Sequence, residues 1–98
     1  MELPYEASGT IAAPDAKLEG NKLTCRAVAS RDVNALMIVV TYDSDGRAME
    51  VKSKQVSLLA GVACDEYAVT LRAAYRYRVY LIDATTFAPL GKCWDYHN

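Results

Sequence analysis

Turn-forming residues break this chain at intervals of roughly 8 to 15 residues, and between the breaks apolar and polar side chains alternate with a period of two. That rhythm puts successive side chains on opposite faces of an extended strand, whereas a helix needs a 3.6-residue rhythm held over several turns. The punctuation therefore predicts an all-β chain of about seven short strands, folded as an antiparallel two-sheet sandwich. With 98 residues there is material for one modest core, so the expectation is a single domain over 1–98 with residues 1–9 as a lead-in. No internal repeat, low-complexity tract or charge block divides it.

The expected strands follow from the breakers. A first run, 9–13, stops at Pro14-Asp15, because proline cannot donate to a ladder and Pro-Asp favours a turn. A second, 22–30, follows the turn pair Gly20-Asn21; it places Cys25 on one face with Leu23, Ala27 and Ala29, as a small buried hydrophobe. The third, 35–42, is almost entirely apolar and β-branched, which predicts a central strand covered on at least one and a half faces and the deepest core. The turn Asp43-Ser-Asp-Gly46 joins it to 47–51 as a hairpin, and 55–59 is read as a further short strand closed by Ala60-Gly61. Residues 65–75 fit strand or helix periodicity, and strand is favoured by the company it keeps. The run 77–83 directs Tyr77, Val79 and Leu81 inward, and 87–94 makes a last irregular strand with Pro89 at an edge. Ile38 and Leu81 are expected core positions, each costing about 2 to 5 kcal/mol when cut to alanine.

Composition excludes several functions. Eleven Lys and Arg against 12 Asp and Glu give a net charge of −1, a poor match for a phosphate backbone, so no nucleic-acid partner is expected. The longest aliphatic stretch, 35–40, is far short of the roughly 20 residues a membrane helix needs, so no membrane insertion is expected. Met1-Glu-Leu-Pro-Tyr-Glu6 has neither a basic n-region nor an apolar h-region, so no secretory leader is expected on this chain. Three cysteines, Cys25, Cys64 and Cys93, leave at least one thiol unpaired. With His97 they could supply four zinc ligands, but no C-x2-C knuckle occurs, and neither metal nor other cofactor is expected. Asp43, Asp45 and Glu50 around Gly46 fall short of a calcium loop and read as a hairpin turn with Asp side chains bonded to nearby N–H groups. His97 is the single histidine, no nucleophile elbow or phosphate loop is present, and the chain reads as a non-enzyme.

The aromatic residues are the remaining signal. Seven Tyr and one Trp against one Phe suit surfaces that are apolar on the ring and wet at the tip. Tyr75, Tyr80, Trp94 and Tyr96 cluster in the last two strands and their flanks as a candidate interaction surface. If Tyr80 lies on the outer face near Trp94, the pair could stack on a sugar ring or on a neighbouring domain. Otherwise these rings roof the edge of the core. Arg72, Arg76 and Arg78 form the one dense basic group, with Asp65, Glu66 and Asp83 close in sequence to offset it.

Three stretches carry a family likeness. Val40-Thr-Tyr-Asp-Ser-Asp-Gly-Arg-Ala-Met49, Val56-Ser-Leu-Leu-Ala-Gly61, and Arg78-Val-Tyr-Leu-Ile-Asp83 followed by Phe87-Ala-Pro-Leu90 resemble the turn hairpin, the strand ending in Ala-Gly, and the penultimate strand with its terminal motif in one group of modules. These are the small immunoglobulin-like or fibronectin-III-like accessory modules of surface and secreted multidomain proteins of anaerobic Gram-positive bacteria. The resemblance covers about residues 23–90. It implies an immunoglobulin-like sandwich with no catalytic set, in a larger extracellular or cell-surface chain, acting as a spacer or packing element against neighbouring domains or another protein. The alternative function is a carbohydrate-binding module that takes a glycan on its Tyr and Trp platform; a third is a regulatory domain acting on a partner enzyme.

Overall fold

The computed structural model describes residues 11–64 and 66–97. The lead-in 1–9 and the start of the first expected run lie outside them. Among the described residues seven strands, β1 (Ala12–Glu19), β2 (Lys22–Ala29), β3 (Val33–Tyr42), β4 (Ala48–Leu58), β5 (Tyr67–Thr70), β6 (Arg76–Asp83) and β7 (Trp94–His97), form two antiparallel sheets. The orders are β1-β2-β5 and β4-β3-β6-β7, and β1 lies across β6 and β7. The chain is an all-β two-sheet sandwich.

The core is the product of two alternations meeting. From the three-stranded sheet come mostly small side chains, Ala12, Cys25, Ala27 and Ala29, with Leu23; from the other come Ala35, Met37, Val39, Val56, Leu58, Tyr77, Val79 and Leu81. Small faces large, so the side chains of the two layers can interdigitate. Thr41 is the one buried polar residue in this set, and its Oγ1 accepts the Glu50 N–H at 3.1 Å.

Several expectations are corrected. Pro14 does not end the first strand. The Ser30 N–H donates to the Ile11 carbonyl while the Ala12 N–H turns the other way, to the Leu90 carbonyl. By ladder alternation the Pro14 nitrogen also faces the open edge, where no donor is needed, and β1 continues to the two-residue loop Gly20-Asn21, with Gly20 at φ 62°. The separate runs 47–51 and 55–59 are one strand, β4, because the polar residues between them still pair with Met37, Ile38 and Val39. Residues 87–91 are not part of a strand: Phe87 sits at φ 62°, Pro89 makes an isolated bridge with Ile82, and Leu90 is buried. The last strand is Trp94–His97 instead. Within the segment 65–75, Tyr67–Thr70 form the strand β5. Leu81 is buried as expected, but Ile38 is half-buried on the outer face, because Ala35, Met37, Val39 and Thr41 take the inner one.

β4 has a feature that its position explains. The residues on its core side are Val56 and Leu58 at one end and Lys54, Lys52 and Glu50 at the other. The strand opposite, β5, is only four residues long, so the sandwich stands open there. Lys54 Nζ lies 5.6 Å from the centre of the Tyr67 ring, and Glu50 Oε1 accepts the Arg72 N–H at 2.8 Å.

The turn after β6 gives a pH-dependent prediction. Asp83 Oδ1 accepts the N–H groups of Thr85 at 2.7 Å and Thr86 at 3.1 Å, and these bonds, with help from Arg31, hold its carboxyl below the usual aspartate value. Its stabilising contribution is complete above the unfolded value, about 4, and is lost as pH falls through the lower folded value. An NMR titration should therefore place the Asp83 midpoint below the free aspartate range, and Asp83→Asn should flatten the acid limb of the stability curve. An Asp83 midpoint at or above that range would contradict the turn geometry.

The thiols give another. Cys25 is fully buried, and burial, followed by the neighbouring Cys64, pushes its pKa up to about 11. At pH 8 about one Cys25 in a thousand is thiolate. A disulfide-exchange reagent should leave Cys25 untouched in the native chain and reach all three thiols in denaturant. Equal native reactivity of Cys25 and Cys64 would place Cys25 outside the core.

Candidate functional site

The same alternation that fills the core leaves an outer face on the four-stranded sheet. With Tyr77, Val79 and Leu81 turned inward, β6 presents Arg76, Arg78, Tyr80 and Ile82 outward. Directly opposite on β3 stand Tyr42, Val40, Ile38 and Leu36 in the same order. Leu36, Ile38, Tyr80 and Ile82 are each half-buried by their neighbours, and Val51 on β4 extends the apolar strip at 64% exposed. A sheet face turned to solvent normally alternates to polar residues; the middle of this one does not.

One end of the strip is a tyrosine and arginine network. The Tyr42 and Tyr80 hydroxyls meet at 3.2 Å, reaching over the Val40 and Arg78 pair that separates them in the ladder. Arg78 Nη1 donates to the Tyr80 oxygen at 3.3 Å, and its guanidinium lies 5.6 Å from the centre of the Tyr42 ring. On β7, Asp95 stands opposite Arg78 and accepts two bonds from Arg76, Nε at 3.1 Å and Nη2 at 3.2 Å, with Arg78 Nε at 3.6 Å. Arg78 Nε is buried and has no hydrogen-bond partner among the described residues. Withdrawal from water, then the bond to Tyr80, lifts the Tyr42 hydroxyl above the usual tyrosine pKa. The Tyr80 bond, with Asp95 and Tyr42, holds the Arg78 charge more firmly than usual. The Tyr42 hydroxyl thus holds its proton beside a fixed cation, an arrangement that presents hydrogen-bonding groups in set positions.

The expected site residues divide between the two faces of the sheet. Tyr80 is on the outer face, but Trp94 stands opposite Val79 and Tyr96 opposite Tyr77, which puts both on the core side. Trp94 packs partly against the core and stacks with Tyr96, ring centres 6.2 Å apart, and Tyr96 meets Tyr77 at 6.1 Å. These two rings cover the β7 edge of the core, and a joint Tyr80 and Trp94 platform does not form, because the sheet lies between them. Tyr75, 47% exposed, precedes β6, and its N–H donates to the Tyr42 carbonyl at 3.0 Å. With Tyr42, Arg76 and Arg78 it borders a cleft of about 210 Å³.

Sequence reasoning misses Tyr42 and Asp95. Tyr42 is absorbed into the turn motif, and Asp95 is a lone acid in a segment with no clear periodicity; the register that unites them is a tertiary property. The arginine group also divides: Arg76 and Arg78 both pair with Asp95 on β7, and Arg72 lies apart beside Glu50. In the turn before β4, Asp43 Oδ1 accepts the N–H groups of Asp45 at 2.9 Å and Arg47 at 3.0 Å, with Gly46 at φ 85°. Glu50 points instead to Arg72, so the three acids do not converge. Among the described residues no group of three or more His, Cys, Asp or Glu is placed to hold a metal ion. Compared with protein-family models and with curated proteins, the chain finds no match.

Proposed function

We propose that this chain is a non-catalytic sandwich module that docks through the outer face of β4-β3-β6-β7 onto a neighbouring domain of a larger chain or onto another protein. The observation that carries the reading is the composition of that face: an aliphatic strip through Leu36, Ile38 and Ile82, finished by a fixed Tyr42, Arg78 and Tyr80 cluster. Tyrosine and arginine are the residue types enriched where protein surfaces meet, and contiguous apolar surface on a folded domain marks contact sites. The rigid two-layer core would also set a fixed distance between whatever lies on either side, the property of a spacer. The topology supports an immunoglobulin-like module, since the chain crosses between sheets after β2, β4 and β5. The likeness of residues 23–90 to accessory modules of bacterial surface and secreted proteins gives the setting in which we place it.

Hydroxyl-radical footprinting tests the docking. Tyr42, Tyr80, Ile38 and Ile82 should be oxidised in the isolated chain and protected in the product of the complete reading frame footprinted inside its native host cell, where neighbouring domains and separate partners are both present, with Val28 and Phe87, exposed elsewhere, serving as controls. Equal oxidation of the outer face in both would end the docking proposal. The carbohydrate alternative loses its main support with the separation of Tyr80 from Trp94.

A further inference from the structure

We propose that the cleft between Tyr42 and Tyr75 receives an acidic side chain from an extended segment of the docked partner polypeptide. This rests on the docking reading and names the chemistry of its partner. The cleft, about 210 Å³, is bordered by the turn residues Ser44 and Gly46 on one side and Tyr75 on the other, with Arg76 and Arg78 between. Its volume is that of roughly seven waters in the liquid, room for one carboxylate side chain and its hydration.

Three observations select a carboxylate. Two guanidinium groups share the single carboxylate of Asp95, and Asp43, the acid on the rim, turns its Oδ1 into its own turn. Arg76 is already held in place by its two bonds to Asp95, so the cost of ordering a long side chain has been met before a ligand arrives. The remaining Nη groups, Nη1 of Arg76 and Nη2 of Arg78, make no hydrogen bond among the described residues. An incoming carboxylate would take charge-assisted bonds from them, and its own chain would cover the exposed Tyr75 ring. A sugar is a poorer fit. Arg78 covers the Tyr42 ring and Tyr80 occupies its hydroxyl, which leaves one open aromatic face where a pyranose would need a platform.

The test is an NMR titration of the 98-residue chain, following arginine Nε–H and tyrosine ring signals. The probes are acetyl-Gly-Glu-Gly-Glu-Gly-amide, its Gln counterpart, and xylohexaose. The Glu peptide should give saturable shifts at Tyr42, Tyr75 and Arg76. The Gln peptide, or high salt, should weaken them about tenfold, and Arg76→Gln should abolish them. Tyr75→Ser, at a position exposed to solvent, should weaken binding with the fold intact. No shift with the Glu peptide at millimolar concentration, an equal response to the Gln peptide, or saturation by xylohexaose at these residues would each overturn the proposal. If the peptide fails while the outer face is still protected in the complete product, the acidic partner is wrong and docking stands; if both fail, docking falls with it.

Discussion

Met37→Ala should destabilise the chain by about 2 to 5 kcal/mol, and Ile38→Ala, one residue further along the same strand, by only about 1 to 2 kcal/mol. Met37 is fully buried at the centre of β3, between β4 and β6 and beneath the three-stranded sheet. Its removal deletes buried methylenes and leaves a cavity that flanking strands, tied by ladder bonds on both sides, cannot collapse into. Ile38 faces outward, half covered by Tyr80 and Ser53, so water can fill what alanine vacates. Urea titrations at unchanged m-value measure both. An Ile38 loss equal to the Met37 loss would mean that the outer face is already sealed within this chain, and the docking surface would vanish with it.

Tyr77→Ala should be the other severe substitution, costing about 3 to 5 kcal/mol, the range for losing a large buried aromatic ring. The ring is 3% exposed, packs against Tyr96, and carries a hydroxyl that accepts the Ala74 N–H at 3.0 Å. It thereby fixes the segment between β5 and β6 as well as filling the core. Tyr77→Phe separates the two roles: it keeps the ring, loses that bond, and should cost about 1 kcal/mol. Thermal unfolding followed by near-ultraviolet dichroism would report both. A Phe variant as damaged as the Ala variant would shift the emphasis from packing to the hydrogen bond.

Much of this architecture was legible in the chain itself. Alternation in 22–29 and 77–83 identifies the inner faces of β2 and β6, because each apolar residue there has one side of a pleat to occupy. Asp43-Ser-Asp-Gly46 identifies its hairpin, because Gly46 supplies the positive φ and Asp43 caps the turn. Legibility fails where sequence neighbours are not the deciding neighbours. Pro14 is tolerated because β1 is an edge, and residues 52–54 continue a strand because β3 offers them partners; neither fact is local. In β3 nearly every residue is apolar, so the run itself does not distinguish Met37's face from Ile38's. The candidate site was half visible. The sequence marks Tyr75 and Tyr80 by their exposure-tolerant chemistry, but only the β3-β6-β7 register brings Tyr42 and Asp95 to them and turns Trp94 away.

The charges on the core side of β4 bear on how such a domain behaves when crowded. An uncovered eleven-residue border is a template on which another molecule's backbone can crystallise into cross-β stacks. A second β4 laid antiparallel along the first, centred on Ser53, would set Lys52 against Lys54 at close range, so the pairing is repelled before its ladder can zip. The open corner left by the short β5 is what gives those ammonium groups room to stand there, and a gap in the packing thus doubles as a guard against fibre formation.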